Sequence, residues 1–139
     1  EQNQRAALLV FCTEAKIFVE ELIQALGPGA QGVDLNARSG IRYTLIVGSQ
    51  KGGLMVEKDG AALSLDWKEI EPQSLLGLHR VLVDDPNGEE KKGDRLLQAC
   101  AFAWLRGLKA DARGLAEELI ELRPDFAAQW EQILEDFGD

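Results

Sequence analysis

Gly53-Leu54-Met55-Val56-Glu57-Lys58-Asp59-Gly60-Ala61-Ala62-Leu63-Ser64-Leu65-Asp66-Trp67 decides the fold. Two short apolar runs flank Asp59-Gly60, and a two-residue turn that matches the twist of paired strands needs positive φ, which Asp-Gly accepts readily. The stretch therefore reads as an antiparallel hairpin. Working back from it, Val33 and Leu35 alternate with polar neighbours, and Ile41, Tyr43, Leu45 and Val47 alternate with Arg42 and Thr44. Period two marks strands. Four short strands are predicted, joined at Arg38-Ser39-Gly40, at the hairpin turn Gly48-Ser49-Gln50-Lys51-Gly52-Gly53 and at Lys58-Asp59-Gly60. They form an antiparallel meander over residues 31–66.

Outside the meander the period becomes helical. Over residues 4–26, Leu8, Leu9, Phe11, Cys12, Ala15, Phe18, Val19, Leu22, Ile23 and Leu26 recur at intervals of three and four, the mark of a long helix with a wide apolar face. Gly27-Pro28-Gly29 ends it. Pro72 suits a first helical position, and Leu75, Leu76, Leu78, Val81 and Leu82 form the apolar side of the helix it opens. Residues 84–93 are the longest polar stretch and read as an exposed, protease-sensitive loop. Helices over 94–106, 111–122 and 124–137 follow, separated by Gly107 and by Arg123-Pro124. Short connections make neighbours antiparallel, giving a helical hairpin plus a capping helix.

The fold class is thus α+β: an N-terminal helix, a four-stranded antiparallel meander and a helical half over residues 72–139. The 139 residues are expected to form a single domain around one core. Because the chain opens Glu1-Gln2-Asn3-Gln4 and its one methionine is Met55, it is expected to be either excised from a longer chain or a processed product.

Composition narrows the function. Fifteen lysines and arginines stand against 24 acidic residues, for a net charge of −9, and the basic residues are scattered. Nucleic acid and anionic membrane surfaces both require clustered positive charge, so neither is expected as a partner. No segment has the length and hydropathy of a membrane span.

Enzymatic chemistry needs convergent groups, and few candidates exist. His79 is the single histidine and reads as a partly exposed structural residue on its helix. Cys12 and Cys100 fall on apolar helix faces, where buried free thiols are inert; a disulfide between them stays open, and with it the redox compartment. Gly48–Gly53 lacks the Gly-Lys-Ser/Thr entry into a helix that a phosphate-binding loop requires. Asp84, Asp85, Glu89 and Glu90 lack calcium-loop spacing. No cofactor or metal is expected.

Three tryptophans remain as candidate contact residues. Trp67 ends the last strand and is expected to pin the sheet to the helices that follow, with ligand stacking as the alternative. Trp104 and Trp130, with Phe126 and Phe137, bring more aromatic bulk to the last helices than a small bundle needs; an exposed pair would anchor a partner, whereas full burial would make all four core.

The run from Gly53 to Pro72, with Trp67-Lys68-Glu69-Ile70 at its end, continues into the Leu75-Leu76 helix and the helix over 99–107. It resembles an accessory segment of large multidomain bacterial proteins, the receptor-like serine/threonine kinases and tetratricopeptide-rich proteins of planctomycetes and their relatives. In these a hairpin ending in Trp-x-Asp/Glu-Leu/Ile precedes helices similar to a tetratricopeptide unit. Proline follows Gly107 after 17 residues, where the 34-residue repeat would place it about 24 later. No kinase signature is present. The resemblance implies a non-catalytic module. The expected function is protein interaction or scaffolding within a larger bacterial protein, with a protein, a peptide or a second copy as partner. The alternative is a small-ligand-binding domain or a hydrolase whose site assembles only in three dimensions.

Overall fold

The computed structural model describes the backbone of residues 2–137 and the side chains of residues 6–135. In chain order the elements are α1 (Gln2–Leu26), β1 (Ala30–Asn36), β2 (Arg42–Gln50), β3 (Gly53–Lys58), β4 (Ala61–Asp66), a 3-10 turn at Trp67–Glu69, α2 (Pro72–Val83), a second 3-10 turn at Pro86–Lys91, α3 (Lys92–Leu105), α4 (Lys109–Leu122) and α5 (Phe126–Phe137). The α+β architecture read from the sequence is the one observed. Contacts divide the chain into two compact units. One is Val19–Val81; the other is drawn from both ends, residues up to Phe18 together with those from Leu82 onward.

The Val19–Val81 unit holds the sheet, a meander in the order β1-β2-β3-β4 with every pair antiparallel. Asp59 and Gly60 adopt φ of 54° and 82°, so the two-residue turn takes the left-handed geometry that Asp-Gly permits. Ladder partners share a face. Ile46, Val56 and Leu63 therefore form one row across β2, β3 and β4, and Leu54 and Leu65 form the next. Of these five, all but Leu63 are buried. Each fully buried aliphatic side chain contributes about 1.5–3 kcal/mol. Bulges interrupt β1 between Gln31 and Leu35 and β2 between Ile46 and Gly48, whereas the β3–β4 ladder is unbroken from Gly53↔Asp66 to Lys58↔Ala61.

The stretch Gly48–Gly53, expected to be a turn, is mostly strand: β2 runs to Gln50, β3 starts at Gly53, and Lys51-Gly52 alone make the turn. Ser49 stabilises that extension by donating its hydroxyl proton to the carbonyl of Ile23. A polar, glycine-rich sequence resembles a loop locally, but pairing of Ser49 with Leu54 and of Gln50 with Gly53 overrides it.

In the other unit, α3 and α4 form the expected helical hairpin. Leu108 N–H bonds to Ala103 C=O at 2.8 Å and Gly107 N–H to Trp104 C=O at 3.1 Å, the paired bonds of a Schellman stop. Small buried residues (Ala99, Ala103, Ala112, Ala116) let the two helices approach closely, and Cys100 Sγ donates to Ala112 C=O at 3.4 Å. Phe18 of α1 stacks on Phe102 of α3 with centroids 4.1 Å apart. The polar stretch before α3 is exposed through most of its length, yet it is ordered where a loop was expected. Asp85 caps the 3-10 turn by accepting from Asn87 N–H at 2.9 Å, and Gly88 is buried.

Candidate functional site

The two edges of the sheet are treated differently. At the C-terminal end of β1 the outward backbone groups are occupied: Asn36 N–H donates to Ser74 Oγ at 2.9 Å and Glu71 N–H donates to Asn36 C=O at 2.9 Å, and just beyond the strand Arg38 N–H donates to Glu69 C=O at 2.7 Å. Ala37 and Ile70 form a bridge beside them. A bulge and the exposed Arg42–Asp34 ion pair at 2.8 Å complete a blunted edge. Bulges, charges and coverage are the usual protections of an edge strand.

β4 has none of these along its middle. It has β3 as its one neighbour in the sheet, its ladder has no bulge, and residues 61–65 carry no charge and no proline. Ala61, Ala62, Leu63 and Ser64 are all exposed, Leu63 to 38%. The direction of its backbone groups follows from its end. Asp66 N–H donates to Glu69 Oε1 at 3.1 Å and so points away from β3, while Trp67 N–H donates back to Gly52 C=O at 3.2 Å. N–H and C=O alternate in direction along a strand, so Ala62 and Ser64, like Asp66, aim theirs outward. At Asp66 a capping box closes the edge, because its side chain also accepts from Lys68 N–H at 3.0 Å. What remains open is a short row of main-chain donors and acceptors at Ala62 and Ser64, on an uncharged strand. Such a row can take an added strand.

Trp67 borders this edge. Its ring is half-buried, and Nε1–H donates to Lys51 C=O at 2.7 Å, tying the end of β4 to the β2–β3 turn. Trp104 and Trp130 are brought together in the other unit, each 6% exposed, edge to face with centroids 5.4 Å apart. Phe11 and Phe126 stack on Trp130 at 6.4 Å each, and Lys109 Nζ covers Trp104 at 4.7 Å from its centroid. The faces of these rings are occupied by one another and by a lysine, as in a core cluster. The side chain of Phe137 lies outside the described residues.

Two expectations about reactive groups are corrected. His79 is not partly exposed but fully buried, because Leu75, His79 and Val83 sit four residues apart on the buried stripe of α2 while Val81 is 71% exposed. Cys12 is exposed, since the stripe of α1 runs through Ala7, Phe11, Phe18 and Leu22 and leaves Leu9, Val10 and Cys12 outside it. Cys100 is buried, and desolvation pushes its thiol up to about 12. Both cysteines are free. Glu14 is raised above the usual carboxylate range, first by burial and then by Asp94, with Arg123 opposing.

Among the described residues no group of three or more His, Cys, Asp or Glu is placed to hold a metal ion, and no helix is long and apolar enough to cross a membrane. Protein-family descriptions, characterised proteins and solved structures contain no match to this chain.

Sequence reasoning passed over the β4 edge. The signal was present: five uncharged residues follow Asp59-Gly60, with none of the lysines or prolines that guard exposed strands. Which of the outer strands is covered, however, depends on α2 returning to β1, a contact 38 residues apart in sequence that local patterning does not carry.

Proposed function

We propose that this chain is a non-catalytic interaction module that binds an extended segment of a protein partner by adding it as a fifth strand beside β4. The observation that supports this reading is the asymmetry of the sheet: β1 is bulged and both outward groups of its last residue, Asn36, are held by Ser74 and Glu71, while Ala62 and Ser64 offer theirs on an unbulged, uncharged strand. Main-chain pairing supplies affinity in strand addition, and alternate side chains supply selectivity. Here the residues flanking the row are Leu63 and Leu65 on one face and Ala62 and Ser64 on the other, which favours a partner strand with small or aliphatic residues. The accessory, non-catalytic role implied by the resemblance of residues 53–122 agrees with this.

Selection from a displayed library of unstructured peptides, followed by amide-shift mapping with the winners, tests the reading. The expected result is a set of shifts centred on Ala62 to Leu65 that Ser64→Pro abolishes, because proline removes an outward N–H without touching the β3 ladder. Peptides that shift amides only elsewhere, or turnover of ester, phosphate or amide substrates that survives repurification, would count against it.

A further inference from the structure

Resting on that reading, we infer that the strand added to β4 is the β4 of a second copy of this chain, laid antiparallel across a two-fold axis at Leu63 to join two four-stranded sheets into one. A symmetric antiparallel pair must place its axis at one residue facing itself, and three positions are available. With the axis at Ser64, Ala62 would face Asp66 of the other copy, whose N–H is already held by Glu69 and whose carboxylate would join the row containing Glu57, the ladder partner of Ala62. With the axis at Ala62, residues 61–63 alone would pair and the rest would overhang the turn. The axis at Leu63 avoids both faults. Ala62 then faces Ser64 in each direction, so that the two outward residues on each chain exchange N–H and C=O groups with their counterparts.

The side chains agree with that register. Leu63 would meet its own symmetry mate at a non-hydrogen-bonded pair, where opposed Cα atoms stand about 4.5 Å apart and side chains are closest. The row Ile46, Val56, Leu63 would continue unbroken into Leu63, Val56 and Ile46 of the second copy. Leu63, now 38% exposed, would be covered. Charge favours this partner as well. A chain of net charge −9 repels its own copies unless the contact avoids opposed carboxylates. Here residues 61–65 face one another without a charge, and at each end the flank holding Asp66, Lys68 and Glu69 meets the flank holding Lys58 and Asp59, so that a lysine from each copy stands among the carboxylates. β1, bulged between Gln31 and Leu35 and with both outward groups of Asn36 held by Ser74 and Glu71, offers no equivalent uninterrupted register.

Light scattering during size exclusion, run from about 5 µM to about 500 µM, reads the outcome directly. The wild-type mass should rise from 15.3 kDa towards twice that value as concentration increases. Ser64→Pro and Leu63→Lys should each weaken the association by at least about tenfold, the first by deleting an outward donor and the second by setting two like charges on the axis. Far-UV circular dichroism identifies any variant that has not folded; the other variant then carries the test, and position 63, being partly exposed, tolerates lysine. A wild type that stays at 15.3 kDa throughout, or a dimer that persists in both folded variants, overturns the inference. A monomer that still binds library peptides in a Ser64→Pro-sensitive manner overturns self-pairing and leaves the module reading standing. A monomer that binds none removes both.

Discussion

Gly53→Ala is the substitution to which this fold is most sensitive per atom added. A Cβ at Gly53 would stand 1.8 Å from the carbonyl oxygen of Leu65, 2.8 Å from its carbonyl carbon and 3.0 Å from Asp66 Cα, all of them backbone atoms of β4. No side-chain rotation relieves such contacts, so β4 must move away from β3 by more than an ångström. Four bonds lie in the path of that movement: the two exchanged by the Leu54↔Leu65 pair, Trp67 N–H to Gly52 C=O, and Trp67 Nε1–H to Lys51 C=O. At about 1 kcal/mol for each hydrogen bond lost, with about 1–3 kcal/mol for overpacking, the expected cost is about 5–7 kcal/mol. That is a large part of a domain's total stability, typically about 5–15 kcal/mol. Gly52→Ala is the matched control, because a Cβ there meets nothing within 4 Å and the position does not have positive φ. It should shift stability by under about 1 kcal/mol in either direction. Urea unfolding followed by circular dichroism compares the two. If Gly53→Ala unfolds within 1 kcal/mol of Gly52→Ala, roughly the resolution of such a comparison, the close approach of β3 and β4 is not what holds this edge.

Trp67→Phe should cost about 0.5–1.5 kcal/mol in the same assay, since it deletes one hydrogen bond to a carbonyl that water can reach; Trp67→Ala should cost more but remain below the range of about 3–5 kcal/mol seen for well-packed aromatic sites, because the ring is only half-buried. Thiol titration at pH 8 should count one cysteine in the native protein and two in denaturant: Cys12 is exposed, whereas a thiol raised to about 12 is ionised at that pH in about one molecule in ten thousand. Two fast-reacting thiols would contradict the burial of Cys100. Glu14→Gln should raise the melting temperature at pH 7. The folded state holds the Glu14 proton more tightly than the unfolded chain does, so the charged form opposes folding above the ordinary value of 4.5, and the variant's advantage should vanish below it. An advantage that persists at pH 3 would point to a cause other than charge.

Local chemistry made most of the architecture legible. Asp59-Gly60 carried the hairpin, Pro72 the start of α2, and Gly107 the break between α3 and α4, each because a backbone geometry admits few residue types. Non-local pairing decided what was missed. Ser49 and Gln50 look like turn residues until β3 is beside them, and Leu9 and Cys12 look like core residues until the direction of the buried stripe is known. The tryptophans drew attention as contact residues because large rings dominate binding surfaces, yet Trp104 and Trp130 are enclosed by other rings. An edge strand made of alanine, leucine and serine carries no such conspicuous group; its capacity for contact lies in the backbone.

The helical unit drawn from both ends of the chain has a consequence for synthesis. Phe11 and Phe18 leave the ribosome well before their ring partners, Trp130 and Phe102, and the whole of Val19–Val81 must be made in between. Closing so long a loop costs about 3–4 kcal/mol of chain entropy before any ring contact repays it. The sheet, whose strands are sequential neighbours, can pair as it emerges. Translation therefore orders assembly of these residues as sheet first and helical unit later, with the apolar stripe of α1 awaiting the partners that α3 and α5 bring.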